Sequence, residues 1–251
     1  MAASGRLDRG DGTRLAWIMH PGRGPTIVFL PGFHSDMTGD KATGLAAYAA
    51  RHGHAMLRFD YSGHGASDGA FLDGSIGTWA ADALAVIDAL TTGQIILVGS
   101  SMGGWIALLT AIARPERVAA LVGIAAAPDF TERLMWDAMA PPERATLLRD
   151  GVLWVPSQYG DPTPITRRLI EDGRARRVLD APIPFTGPVR LLHGQADPDV
   201  PWELALTIAS TVTSTDVAVT LVKDGDHRLS RPQDLALLYR TIGGLLGEDG
   251  A

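Results

Sequence analysis

The chain predicts an α/β fold, with a mostly parallel central sheet flanked by helices and one smaller insertion. Three observations predict it. Short apolar runs such as 26–30 and 95–98 read as strands buried on both faces, the mark of parallel sheets. These runs alternate with helically spaced stretches, and right-handed crossovers then set the strands' carboxyl ends along one edge. Finally, Gly99-Ser100-Ser101-Met102-Gly103 alone separates a strand from a helix. A serine in such a tight strand-to-helix turn is lifted above the sheet edge at a helix N-terminus. The 251 residues suit one domain, with or without an insertion.

Each element follows in order. Residues 14–20 predict a strand, closed by the turn signal Pro21-Gly22-Arg23-Gly24-Pro25. Residues 26–30 form the next strand and end in Pro31-Gly32-Phe33-His34. An Ala-rich helical stretch at 45–50 stops at Gly53, and 54–59 is a third strand. Asp60-x-x-Gly63-x-Gly65-x-Ser67 reads as a structural turn whose glycines supply positive φ. Trp79, Leu84, Ile87 and Leu90 mark a helix over 77–90. The strand at 95–99 and its helix, ending near Ala113 before Pro115, are followed by strands at 118–125, 189–193 and 217–222. Helices at 201–211 and 234–246 flank the last strand.

One stretch breaks the rhythm. No strand is evident from Asp129 to Pro184, where Phe130, Leu134, Met135, Trp136, Met139, Leu147, Leu148, Val152, Leu153 and Trp154 predict short amphipathic helices. Pro141-Pro142 and Pro156 interrupt them. The expected organisation is a core of 1–128 and 185–251 with a small helical lid at 129–184. The lid's apolar residues pack it onto the body or line an apolar pocket, with Trp136 and Trp154 as substrate contacts.

Composition narrows the function. Hydrophobic residues make up 46% and charged residues 20%, and the net charge of −6 comes without a Lys/Arg run, which argues against nucleic acid as partner. The densest basic stretch, Arg174-Ala175-Arg176-Arg177, lies among acids and reads as a solvated helical face. The absence of cysteine excludes disulfides, a Cys nucleophile and thiolate metal sites. His52 and His54 have no further metal ligands near them in sequence and read as structural. No segment has the length of a membrane span or a signal peptide, so a soluble, cytoplasmic protein is expected.

A serine nucleophile needs a base, itself oriented by a carboxylate. Behind two late strands the chain supplies both, in the order Ser, Asp, His. His193-Gly194-x-x-Asp197-x-x-Val200-Pro201 presents Asp197 as the acid ahead of Asp199, with His193 packing or bonding the loop. Lys223-Asp224-Gly225-Asp226-His227 presents His227 as general base and then general acid. Asp224 and Asp226 adjoin it but are expected to point elsewhere. The backbone N–H groups of Met102 and Phe33 are the expected oxyanion donors, and His34, next to Phe33, is a candidate substrate contact.

With these residues in place, the chain resembles the α/β-hydrolase superfamily over essentially its whole length. Leu30-Pro31-Gly32-Phe33, Arg58 to Gly63, Gly65 to Gly69, Gly99 to Trp105, His193 to Trp202 and Gly225 to Arg228 resemble, more narrowly, its palmitoyl-protein thioesterase and acyl-glucuronide esterase branch. The resemblance implies that Ser101, Asp197 and His227 hydrolyse acyl thioesters and esters without a cofactor. The substrate is then a small-molecule ester or thioester, or an acylated protein. An Arg- and Ser-rich transit segment is missing, which suggests a bacterial cytosolic relative. The same constellation also serves carbon–carbon bond hydrolysis and perhydrolysis. A non-catalytic ligand-binding protein of this fold would usually have lost one of the three residues. Acyl length and oligomeric state are not written in these motifs.

Overall fold

The computed structural model describes residues 2–157 and 160–248. Ten strands and seven α-helices are found among them: β1 (Ala3–Asp8), β2 (Arg14–His20), β3 (Arg23–Leu30), α1 (Asp40–His52), β4 (His54–Phe59), α2 (Ile76–Leu90), β5 (Ile95–Ser100), α3 (Met102–Ala113), β6 (Val118–Ile124), α4 (Pro141–Asp150), β7 (Val152–Ser157), β8 (Gly160–Thr166), α5 (Arg167–Arg174), β9 (Val189–Gly194), α6 (Glu203–Thr211), β10 (Val217–Val222) and α7 (Pro232–Leu245). Eight strands form one sheet in the order β1-β2-β4-β3-β5-β6-β9-β10. β1–β2 and β2–β4 pair antiparallel, and the remaining pairs are parallel.

The alternation of side chains along each strand divides the core in two. Val28, Leu30, Ile95 and Leu97 meet α2, α3 and α6 through Trp79, Ile87, Trp105, Ile106 and Ile208. Ile27, Phe29, Ile96 and Val98 meet α1 and α7 through Leu45, Tyr48, Leu238 and Ile242. β5 is buried along its whole length because both of its faces are covered, which is why it carries no polar alternation. Behind the sheet edge, the Asp60 carboxylate accepts from the N–H groups of Met37 and Ala66, and Gly63 (φ 73°) and Gly65 (φ 47°) make the expected turn.

The 129–184 segment enters between β6 and β9, which are neighbours in the sheet. It holds a π-helical turn (Thr131–Trp136), α4, the antiparallel hairpin β7–β8 and α5. The expectation of an all-helical segment is therefore corrected. Leu153 and Val155 turn one way and exposed Trp154 the other, a period of two that fits a strand. Pro162 and Pro164 lie in β8, which pairs on one side only, so no ladder hydrogen bond is lost on its free side. β1 was also unexpected, since its sequence is largely polar and exposed.

The Gly99–Gly103 turn owes its glycines to space rather than to φ. A Cβ on Gly99 would stand 2.2 Å from the Gly103 carbonyl oxygen, and one on Gly103 would stand 2.0 Å from that of Leu30. Backbone cannot retreat as a flexible side chain can. Gly103→Ala is therefore expected to destabilise the chain by about 3 kcal/mol, read from urea unfolding midpoints at unchanged m. An unfolding midpoint equal to that of the parent would show that the turn has room after all.

Candidate active site

Ser101 sits between β5 and α3 with φ 53° and ψ −118°, outside the regions open to most residues. Such a conformation costs on the order of 1–3 kcal/mol and persists only where its surroundings over-determine it. Here the Ser101 N–H donates to the Ile124 carbonyl (2.9 Å), while its own carbonyl accepts from Gly104 (2.9 Å) and Ala127 (3.1 Å). The strain keeps the hydroxyl above the strand ends.

The two late loops converge on it. Gln195 and Ala196 donate to the carbonyls of Val222 and Gly225, and a Cβ on Gly194 would lie 2.2 Å from the Gly225 carbonyl oxygen. This close crossing brings Asp197 to His227. His227 Nδ1 is 2.8 Å from Asp197 Oδ2, and His227 Nε2 is 3.2 Å from Ser101 Oγ. A carboxylate oxygen only accepts, so Nδ1 carries the proton and Nε2 presents its lone pair to the serine hydroxyl.

The Asp197 side chain is fully buried, whereas His227 is 18% exposed. Asp197 Oδ1 accepts from the N–H groups of Asp199 (2.8 Å) and Val200 (2.9 Å). Burial alone would push this carboxyl up. Hydrogen bonds from His193 and His227, then that from Val200, hold it well below the usual carboxylate range. Asp199 offers a backbone N–H to Asp197, and its own side chain is exposed at the cavity wall. Asp226 turns back to accept from Arg228 and Leu229, and Asp224 pairs with Arg231.

A cavity of about 790 Å³ opens above Ser101 and His227. Phe33, Phe130, Leu134, Met135, Met139, Leu153, Val155 and Ile165 form its apolar wall, and His34, Asp36, Lys41, Asp199 and Arg228 form a polar one. Phe33 follows Gly32, where a Cβ would be 3.3 Å from Ser101 Cβ, and Met102 opens α3, where the first N–H groups have no acceptor within the helix. His34 borders the cavity at φ 60°, its ring edge-on to Phe71 at 4.3 Å.

Two expected contacts are elsewhere. The guanidinium groups of Arg144 and Arg174 stand over the Trp136 ring, at 5.1 and 5.2 Å from its centroid, and Trp136 does not border the cavity. Trp154 is 57% exposed on the outer face of the hairpin. Lys41 was not foreseen. Its ammonium donates to the Arg228 carbonyl, and burial, with Arg228 nearby, pushes it down to about 8. His52 and His54 both meet Glu248, at 3.3 and 2.6 Å.

The alpha/beta hydrolase fold family matches residues 25–165, more than half of the chain. The chain belongs to the alpha/beta hydrolase family. It is a hydrolase. Within that family it is 41% identical over 242 residues to "Palmitoyl-protein thioesterase ABHD10, mitochondrial" of Mus musculus and of Homo sapiens, covering 96% of this chain and 81% and 79% of theirs. The solved structure of mouse alpha/beta hydrolase domain-containing protein 10 superposes with a TM-score of 0.91 at 39% identity, covering 98% of this chain and 99% of that one. A putative hydrolase from Agrobacterium vitis S4 superposes with a TM-score of 0.92 at 44% identity, covering 98% of each chain. The expected cytoplasmic location is overturned, because these curated relatives are named as mitochondrial. Among the described residues no helix is long and apolar enough to cross a membrane.

Proposed function

We propose that this hydrolase cleaves carboxylic esters and acyl thioesters through an acyl-enzyme on Ser101. One observation carries the reading: an unbroken hydrogen-bond chain from Asp197 through His227 to Ser101 Oγ, opening on a cavity with one apolar wall. His227 Nε2 takes the Ser101 proton as Oγ attacks the acyl carbonyl carbon. The N–H groups of Phe33 and Met102 receive the developing oxyanion, each worth about 3 kcal/mol in such sites. The tetrahedral intermediate collapses, and His227 returns the proton to the departing alcohol or thiol. Water then repeats the sequence against the acyl-enzyme and releases the acid and free Ser101. Asp197 stays ionised throughout and holds the imidazole in the tautomer that can accept.

Residues 129–184 act as a lid, and their inner face receives the acyl chain. The relatives named as palmitoyl-protein thioesterases support a long acyl group. The direct test incubates the protein with a fluorophosphonate and, separately, with p-nitrophenyl esters and acyl thioesters. A single adduct on the peptide carrying Ser101, together with turnover, is expected. Protein that neither labels nor turns over would sink the reading.

The acyl assignment makes its own prediction. Leu153 is half-buried on the inward face of the hairpin, packs against the small core of Met139, Leu147, Ile165 and Ile170, and borders the cavity, so a larger ring there takes up cavity space. Leu153→Trp is expected to lower kcat/KM for a long-chain ester about tenfold relative to an acetyl ester. Equal losses on both substrates in a chain-length series would place the acyl group elsewhere.

A further inference from the structure

His193 is the last but one residue of β9 and is 1% exposed. Its register partner on β10 is Leu221, so the backbone on which it stands is fixed by the sheet. Its Nε2 lies 3.3 Å from Asp197 Oδ2 and 3.1 Å from the Val200 carbonyl oxygen. Both neighbours accept only, so Nε2 carries the hydrogen and shares it between them. Its Nδ1 is buried without a partner among the described residues. A ring that served only to fill space would leave no reason for a polar atom in that place, where an unpaired buried nitrogen has a cost.

The geometry points to His193 as a positioning residue for the hydrolytic site: its Nε2–H holds the same Asp197 oxygen that orients His227, and so sets how strongly that carboxylate draws on the imidazole. With it, Asp197 receives two donors on each oxygen, the N–H groups of Asp199 and Val200 on Oδ1 and those of His193 and His227 on Oδ2. The carboxylate can then neither rotate nor slide along the loop. Through the Val200 carbonyl, the same ring anchors the far end of the acid loop. The inference rests on the reading of Ser101, His227 and Asp197 as the reacting group.

A removed donor leaves Oδ2 with more negative charge for His227. The imidazolium is then favoured, and less free base is present at a given pH. Three other charged side chains stand around this pair. The Asp199 carboxylate has an oxygen within 4.8 Å of the ligand atoms of Asp197 and His227, and Lys41 and Arg228 line the adjoining wall. Asp226 is turned onto its own loop. All of these stay in place when His193 alone is changed.

The test compares His193→Phe, His193→Asn and His193→Gln for the pH profile of kcat/KM, melting temperature and fluorophosphonate labelling. Phe keeps the ring without a donor. Asn is polar but too short to bring its amide to Oδ2, and it serves if the Phe variant fails to fold. Gln carries a donor at about the distance of Nε2. Phe and Asn are expected to lower kcat/KM near neutral pH about tenfold. They should also move its acid limb to higher pH, and Gln should restore both. Lower melting temperatures with an unmoved limb, or a Gln variant no better than Asn, would overturn the inference. Parent protein that fails to label would remove the reacting group, and this inference with it. Labelled parent with an unmoved limb overturns the role of His193 alone.

Discussion

Ser101→Ala is expected to lower kcat/KM for esters by about 10⁴- to 10⁶-fold and to abolish fluorophosphonate labelling, with the melting temperature close to that of the parent. The two readouts separate because the side chain and the backbone of Ser101 do different work. The Oγ meets His227 Nε2. The backbone, at φ 53°, is held by Ile124, Gly104 and Ala127, and those hydrogen bonds survive truncation. Alanine bears the same Cβ and so the same backbone strain. Activity lost together with stability would instead mark Ser101 as a structural turn residue. Activity retained would pass the nucleophile to another group at the cavity, of which Ser100, buried beside it, is the nearest in sequence.

The parts of this protein legible in its sequence are those whose environment is local or periodic. β5 could be read because burial on both faces leaves a run with no polar alternation, and Gly99 and Gly103 could be read because the turn demands space at fixed offsets from the serine. The spacing from His193 to Val200-Pro201 singled out Asp197 over Asp199, and it is Asp197 that the loop buries against His227. His227 itself was marked by standing just past the last strand.

What escaped depends on partners far along the chain. β1 is a polar strand whose order comes from pairing with β2, and no hydrophobic pattern announces it. The period of two in Leu153-Trp154-Val155 was present, but three residues of alternation next to prolines do not outweigh a helical expectation. Trp136 and Trp154 are large and apolar, which says that they pack, not against what. Arg144 and Arg174 from two other helices decide the first, and solvent takes much of the second. Lys41 borders the cavity because α1 begins beside the His227 loop, a proximity created by the sheet order and not by any motif. Subcellular address is a signal read by other machinery, so composition had little to say about it.

Asp197→Asn is expected to cost about 10⁴-fold in kcat/KM although it changes little in shape. The amide oxygen can still accept from Asp199 and Val200 at the Oδ1 position. The amide nitrogen then stands where Oδ2 was, facing the Nε2–H of His193 and the Nδ1–H of His227. Donors cannot face donors, and His227 escapes by moving its proton to Nε2. That nitrogen now donates to Ser101 Oγ and no longer accepts from it, so the hydroxyl loses its base. Stability falls as well, by on the order of 2 kcal/mol near neutral pH, because a buried charge-assisted set is replaced by a weaker one. The pH dependence has a definite sign. Asp197 is held below the usual carboxylate range when folded, so its stabilisation is present in full above the unfolded value of about 3.9 and is lost as pH falls toward the folded one. The gap between parent and variant in urea unfolding should therefore be widest at neutral pH and shrink below about pH 4. Asp199→Asn is the control, since its contribution to Asp197 is a backbone N–H that the substitution leaves intact. If Asp199→Asn were the more damaging of the two, the acid would be Asp199, and the buried pair at 2.8 Å would be a structural ion pair beside it.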